Sequence, residues 1–294
     1  MNHARPRANF ISALLLVPIA AMQFGSLPRL EAMLAGALRA RGFAVLPKPQ
    51  LGTKALAQLQ QFTSERLDAE LARVCVADTG PPEQGGAFGA FTFGEVVEDQ
   101  QLMRWDLRMP EGDEAWSSAC TAIIEAAMPV LETLHPPEEA GSVRPLSSGV
   151  LISRPGAGTE SWHSDAEEDP AHFERAATSP HCRIYNVYMP FEPLERNADG
   201  LEFWAGTHDK QTSGISCRPV GTQPPKPVGV VDAPGCAAGG LLLADSRVKY
   251  RGRANTGEER QIAYVVLGVN ANRDGQSEGA AKCSGGWVRL SPPE

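Results

Sequence analysis

The spacing of apolar residues changes near residue 140 of this 294-residue chain. Before that point apolar residues recur at intervals of three and four, which predicts amphipathic helices beginning near Ser26, Thr53 and Asp113. After it, short apolar runs alternate with turn residues, a pattern typical of β-strands. We expect earlier strands at 43–47 and 105–109, and later ones at 149–153, 183–189, 200–204, 228–231, 240–244, 248–250 and 261–269.

Helices followed by many short strands predict a mainly β protein with N-terminal helices, closed as a sandwich or barrel. The first helix has Ser26 as a candidate N-cap, Pro28 in its first turn and Gly42 at its end. We expect residues 25–294 to form a single domain, with helical support from 25–140 and a β core from 141–294.

Composition narrows the function classes. A chain with 42% hydrophobic and 21% charged residues is globular. The net charge of −8 and the lack of a basic stripe argue against nucleic acid as a partner. None of the six cysteines forms a CxxC pair, which argues against a structural zinc site.

The N-terminus allows two interpretations. Arg5 and Arg7 precede an apolar run from 10 to 22, so residues 1–24 are either a cleaved targeting segment or an apolar N-terminal helix. The run is too short for a comfortable bilayer span and Pro18 interrupts it, so no stable membrane span is expected. Without a targeting segment, the protein would be cytoplasmic.

The segment Trp162-His163-Ser164-Asp165 carries the strongest chemical signal. Side chains two residues apart on an extended segment point to the same side, so His163 and Asp165 share a face. One imidazole and one carboxylate are two of the three ligands in a facial triad for non-haem Fe(II).

Four segments in order resemble the phytanoyl-CoA dioxygenase-like family of Fe(II)- and 2-oxoglutarate-dependent oxygenases. They are 162–165, with the His-x-Asp motif after a Trp; 199–208, ending in Gly-Thr-His; 240–245, a strand before the distal ligand; and 250–260, with Arg-Gly, Asn and a final Arg. Residues 41–46 also resemble the opening of the family.

The resemblance implies a double-stranded β-helix, a jelly roll of the cupin type whose mouth holds Fe(II). It places His163, Asp165 and the residue at position 250 as metal ligands and Arg260 on 2-oxoglutarate. It implies a dioxygenase that uses O₂ to hydroxylate or otherwise oxidise a small organic molecule. A cupin-type isomerase or hydrolase would not need 2-oxoglutarate, and the spacing of Arg260 argues against it. Oligomeric state and substrate identity have no readable signal.

Tyr250 departs from the family, which has His at this position. A phenol has a pKa near 10, a bound cation can convert it to phenolate, and this hard anionic donor favours Fe(III) over Fe(II). Three outcomes stay open. Tyr250 ligates iron in a modified centre; it turns away, with water or His208 completing the site; or the site has decayed and the chain is a catalytically silent jelly-roll ligand-binding protein.

Two other residues have simpler interpretations. His208 is expected to be a structural loop residue. Arg108 could reach an anionic substrate or cosubstrate, although a plain position on a strand face is the preferred interpretation.

Overall fold

A computed structural model describes residues 28–77, 91–93, 96–99, 103–109, 113–135, 143–165, 183–198, 200–208, 230–269 and 288–290. The helices in this part of the chain are α1 (Pro28–Arg41), α2 (Thr53–Ala77) and α3 (Glu114–Leu134). The strands are β1 (Phe43–Leu46), β2 (Phe91–Phe93), β3 (Val96–Asp99), β4 (Arg104–Arg108), β5 (Val143–Ser153), β6 (Arg183–Pro190), β7 (Leu201–Trp204), β8 (Val231–Asp232), β9 (Leu241–Asp245), β10 (Lys249–Gly252), β11 (Arg260–Val269) and β12 (Val288–Leu290).

The strands form two sheets. The larger has the order β1-β9-β6-β11-β5-β4-β3-β2-β12, and the smaller has the order β10-β7-β8. The pairs are antiparallel, except that β12 runs parallel to β2. Two sheets with an apolar core between them make the double-stranded β-helix that the resemblance implied, so the expected fold class is confirmed.

Alternation along β11 separates two apolar cores. Ile262 and Tyr264 pack between the sheets with Phe203 of β7. Ala263 and Val265 point to the other face of the large sheet, where they meet the helices. Residues of even number on β11 therefore line the interior, because side chains alternate between the two faces of a strand.

The helices begin and end as their sequences direct. Gly42 follows α1 with a φ of +83°, and its N–H bonds to the Leu38 carbonyl at 2.9 Å, so a left-handed residue turns the chain into β1. Asp113 caps α3 by accepting a hydrogen bond from the Trp116 N–H at 2.8 Å. The buried face of α3 consists of Trp116, Ala119, Ile123, Ala127, Val130, Leu131 and Leu134.

Several boundaries differ from the sequence-based expectation. Strand β5 is 11 residues long rather than the five predicted at 149–153, because β11 pairs along its whole length, whereas β4 pairs only with the predicted part. Strands β2, β3 and β12 were not predicted. The run at 1–24 and the candidate cap Ser26 lie outside the described residues. Within the described part of the chain, no helix is long and apolar enough to cross a bilayer.

Candidate functional site

His163 and Tyr250 face each other across a short antiparallel bridge. The His163 N–H donates to the Tyr250 carbonyl at 3.1 Å, and the Tyr250 N–H returns a bond to the His163 carbonyl at 2.8 Å. Directly opposed residues place their side chains on the same side of the pair. The two rings are accordingly 4.5 Å apart between centroids.

Asp165 joins this pair through its carboxylate. Tyr250 Oη donates a hydrogen bond to Asp165 Oδ1 at 2.8 Å. Asn186 of β6 donates from Nδ2 to the other oxygen, Oδ2. The structure therefore brings together His163, Asp165 and Tyr250, the three residues that the resemblance proposes as metal ligands, and adds an amide that orients the carboxylate.

The neighbours of the His-x-Asp segment explain how it is held. His163 Nδ1 lies 3.0 Å from the Ser161 carbonyl, which favours the tautomer with the lone pair on Nε2. Trp162 packs edge-on against Trp204 at 5.9 Å between centroids, and the Arg251 guanidinium stacks on it at 4.5 Å. These contacts fix the segment against the small sheet.

Aromatic side chains surround Tyr250 inside the barrel. The rings of Tyr188 and Phe203 lie 6.1 and 6.0 Å from its ring centroid. Burial, with a smaller contribution from the Asp165 charge, raises the pKa of Tyr188 well above its usual value. Burial and the Asp106 carboxylate likewise raise the pKa of Tyr264. Tyr188 and Tyr264 are therefore neutral phenols. The Tyr188 hydroxyl hydrogen-bonds Tyr250 and Asn186, and the Tyr264 hydroxyl donates to Asp106 at 2.7 Å.

Arg260 begins β11 on the interior face and is only 7% exposed. Its Nη2 donates to the Arg253 carbonyl at 3.0 Å. Ser153 of β5 pairs with Arg260 on one side and with Arg104 of β4 on the other. Arg104 Nη2 donates to the carbonyls of Gly158, at 2.9 Å, and Arg253. Two guanidinium groups thus share one carbonyl at this end of the barrel.

His208 and Arg108 have contacts of a structural kind. His208 Nε2 is 3.0 Å from the Arg39 carbonyl, and a Cβ on Gly42 would come within 2.7 Å of His208 Nδ1. These contacts lie at the junction of α1 and β1, so they do not support His208 as a third ligand. Arg108 pairs with Asp106 at 2.9 Å and lies over the Tyr264 ring.

The donor set fits a metal ion only if the phenol takes part. Within the described residues, no group of three or more His, Cys, Asp or Glu side chains could hold a metal. Two oxygens bound side by side to one ion, each about 2.1 Å from it, lie about 3 Å apart. The 2.8 Å between Tyr250 Oη and Asp165 Oδ1 is the length of an ordinary O–H···O hydrogen bond and is also compatible with this separation. With the His163 imidazole, a carboxylate and a phenolate suit a hard transition-metal ion.

Sequence reasoning missed Asn186 and Tyr188. The predicted strand at 183–189 contains both, and equal parity puts them on one face. What the sequence does not give is the pairing of that strand with β11 and β9, which turns this face toward Asp165.

No family model and no curated protein matches the sequence of the chain. Solved structures match its fold. SnoN, described as a non-haem α-ketoglutarate-dependent epimerase from nogalamycin biosynthesis, has 16% identity and a TM-score of 0.54 over 87% of this chain and 93% of its own. EctD from S. alaskensis, with bound Fe, has 17% identity and a TM-score of 0.53 over 82% and 78%. At these identities the likeness shows the double-stranded β-helix, while the resemblance to the phytanoyl-CoA dioxygenase-like family stays a prediction.

Proposed function

We propose that the chain is an Fe(II)- and 2-oxoglutarate-dependent oxygenase that acts on a small organic molecule. The observation that carries the proposal is the meeting of Tyr250 Oη and Asp165 Oδ1 at 2.8 Å beside the His163 ring. A structure of SnoN described as a complex with Fe³⁺, α-ketoglutarate and nogalamycin RO supports it by analogy of fold.

The proposed site residues bind either the metal or the cosubstrate. His163, Asp165 and Tyr250 would hold the iron, and Asn186 would keep the carboxylate in place. When bound with 2-oxoglutarate and O₂, iron of this kind supplies the power to oxidise an unactivated C–H bond. Arg260 would bind the distal carboxylate of 2-oxoglutarate, since a planar guanidinium suits bidentate carboxylate binding.

The interior supports this assignment by excluding water. Phe203, Tyr188 and Ile262 are each at most 4% exposed and line the space between the sheets around Tyr250. The attraction between the buried Arg260 guanidinium and a carboxylate is stronger there than in water because the surrounding dielectric is low, and it offsets the hydration that the carboxylate loses. The substrate is proposed only as a small molecule.

Anaerobic titration tests the proposal. The full chain should bind one equivalent of Fe(II), and 2-oxoglutarate should then bind to the iron-loaded protein and perturb its visible absorption. On exposure to O₂, succinate should be released. Asp165→Ala should abolish iron binding, while Asp106→Ala, a carboxylate that pairs with Arg108 instead, should retain it.

Two results would contradict the proposal in different ways. Wild-type protein that binds no Fe(II) would remove the metal site altogether. Protein that binds Fe(II) and 2-oxoglutarate but releases no succinate, even with prolonged exposure to O₂, would favour the catalytically silent jelly roll.

A further inference from the structure

A polar cluster joins α2 to the residues on either side of Arg260. We call it the α2 clamp; its members are Thr63, Ser64, Arg154, Glu259 and Gln261. Thr63 and Ser64 lie on α2, Arg154 directly follows β5, and Glu259 and Gln261 flank Arg260 in sequence. The clamp lies on the helix side of the large sheet, opposite the interior site.

Gln261 is the centre of the clamp and is 0% exposed. Its Oε1 accepts a hydrogen bond from Thr63 Oγ1. Its Nε2 donates to Ser64 Oγ at 2.6 Å and to Glu259 Oε1 at 2.7 Å. A buried amide is costly unless both of its ends are paired, and here both are.

Glu259 extends the clamp to β5. It accepts hydrogen bonds from Ser64 Oγ at 2.7 Å and from Arg154 Nε at 2.8 Å. Burial would raise the pKa of Glu259, but the hydrogen bonds from Arg154, Ser64 and Gln261 hold it below its usual value. Its carboxylate is therefore charged at neutral pH. It pairs with Arg154, which also contacts Asp68 of α2 at 2.5 Å.

The packing of α2 does not itself require this polar contact. Leu56, Leu59 and Leu67 form an apolar stripe on the same helix and are 3%, 5% and 0% exposed. Thr63 interrupts the stripe at a position that is also 0% exposed, and it is the residue that reaches Gln261. Replacing two buried hydrogen-bonded groups with apolar groups of the same shape often leaves stability nearly unchanged. The polar pair instead fixes one register between α2 and the start of β11.

That register determines the direction of Arg260. Successive side chains on a strand point to opposite faces, so anchoring 259 and 261 on the helix side directs 260 into the barrel. On the interior side, Arg260 has the Arg253 carbonyl at 3.0 Å as a second support. We infer that Gln261, Glu259 and Ser64 are positioning residues that aim the Arg260 guanidinium at the distal carboxylate of 2-oxoglutarate. This inference rests on the role proposed above for Arg260.

The test compares two keto acids in the iron-loaded, full-length protein under anaerobic conditions. 2-Oxoglutarate carries the distal carboxylate, and 2-oxobutyrate lacks it. Gln261→Met keeps the side-chain volume and removes the amide, and Ser64→Ala removes one hydroxyl. Both substitutions should weaken the binding of 2-oxoglutarate on the order of tenfold. In metal sites, loss of a residue that orients a ligating side chain has an effect of this size. Affinity for 2-oxobutyrate should not change.

A matched control lies on the same helix. Gln60 Nε2 donates to Glu192 Oε1 at 2.9 Å, a contact between α2 and the loop after β6 that does not involve Glu259 or Gln261 through its side chain. Gln60→Met makes the same chemical change as Gln261→Met and should leave the preference for 2-oxoglutarate over 2-oxobutyrate unchanged.

Each contrary result has its own meaning. Clamp variants that keep the wild-type preference, or that lose affinity for both keto acids equally, would show that the cluster only stabilises the fold and would overturn the inference. If Arg260→Ala itself leaves 2-oxoglutarate binding unchanged, the failure belongs to the proposed cosubstrate role of Arg260. Should Gln261→Met not fold, Ser64→Ala decides, since it removes a single hydroxyl from a half-buried position.

Discussion

Tyr250 donates a hydrogen bond to Asp165 over 2.8 Å, from the position where the resemblance to oxygenases would place a histidine ligand. Its backbone pairs with His163 in both directions, so the ring points toward the imidazole and the carboxylate. This geometry does not match the alternative in which Tyr250 turns away from the site. The remaining alternatives are a phenolate ligand and a decayed site.

Substituting Tyr250 distinguishes these alternatives. If its phenolate binds oxidised iron, aerobically iron-loaded wild-type protein should show a visible ligand-to-metal charge-transfer band. Tyr250→Phe should abolish that band and leave the fold intact, because the ring volume is conserved. Absorption and resonance Raman spectra measure the first effect, and urea unfolding measures the second.

Tyr250→His provides the complementary comparison. It would restore two imidazoles and one carboxylate, the usual set for Fe(II), and should bind Fe(II) more tightly than wild type. A band that persists in Tyr250→Phe at unchanged iron affinity would show that Tyr250 is not a ligand. If neither wild type nor Tyr250→His binds iron, the decayed site is correct.

Asn186→Ala should weaken Fe(II) binding by about 10–100-fold, the range found when a partner that orients a metal ligand is removed. Asn186 donates to Asp165 Oδ2 and thereby holds the carboxylate beside Tyr250. Tyr185→Phe is the control, since Tyr185 lies on the other face of β6 and hydrogen-bonds His135 at 2.6 Å. Equal iron affinities in wild type and Asn186→Ala would remove the amide from the site.

The local sequence pattern predicted those helix ends that depend on only a few neighbouring residues. Gly42 ends α1 because a left-handed residue is needed there, and Asp113 caps α3 because its carboxylate reaches the Trp116 N–H. Strands β2 and β3 were missed, although β1, β7 and β10 are only four residues long and were predicted. The pairing of β2 with β3, and of β3 with β4, defines them.

The candidate site likewise contains residues that the local sequence pattern predicts and residues that it does not. His163 and Asp165 share a face by parity alone, and Arg260 falls on the interior face of β11 by the same rule. Asn186 and the α2 clamp depend on pairings between residues far apart in sequence, such as Thr63 with Gln261. No local pattern predicts those pairings.

Two glycines should respond oppositely to alanine. A Cβ on Gly149 would lie 2.6 Å from Tyr264 Oη and 2.7 Å from the Leu107 carbonyl, so Gly149→Ala must displace backbone. We expect destabilisation of roughly 1–3 kcal/mol, the usual cost of overpacking. Gly36 lies mid-helix in α1 with nothing within 4 Å, so Gly36→Ala should stabilise by about 0.5–1 kcal/mol. Urea unfolding of both variants measures these effects, and a neutral Gly149→Ala would contradict the close approach of Tyr264.

Acid should selectively remove the contribution of Glu259 to stability. Its pKa in the folded protein is lowered: burial opposes this, but hydrogen bonds from Arg154, Ser64 and Gln261 prevail. A lowered folded pKa gives stability that is fully present above the unfolded value of about 4.3 and is lost as the pH falls through the folded value. The free energy of unfolding of wild type should therefore exceed that of Glu259→Gln by a constant amount at neutral pH. The difference should shrink below about pH 4, because the glutamine does not titrate.

Ser64→Ala removes one of the three hydrogen-bond donors to Glu259. Its free energy of unfolding should therefore fall below that of wild type by a smaller amount, which should also shrink in acid. Urea unfolding of the three proteins across this range measures the differences, and a gap between wild type and Glu259→Gln that does not vary with pH would show that the carboxylate contributes no charge-dependent stability to the clamp.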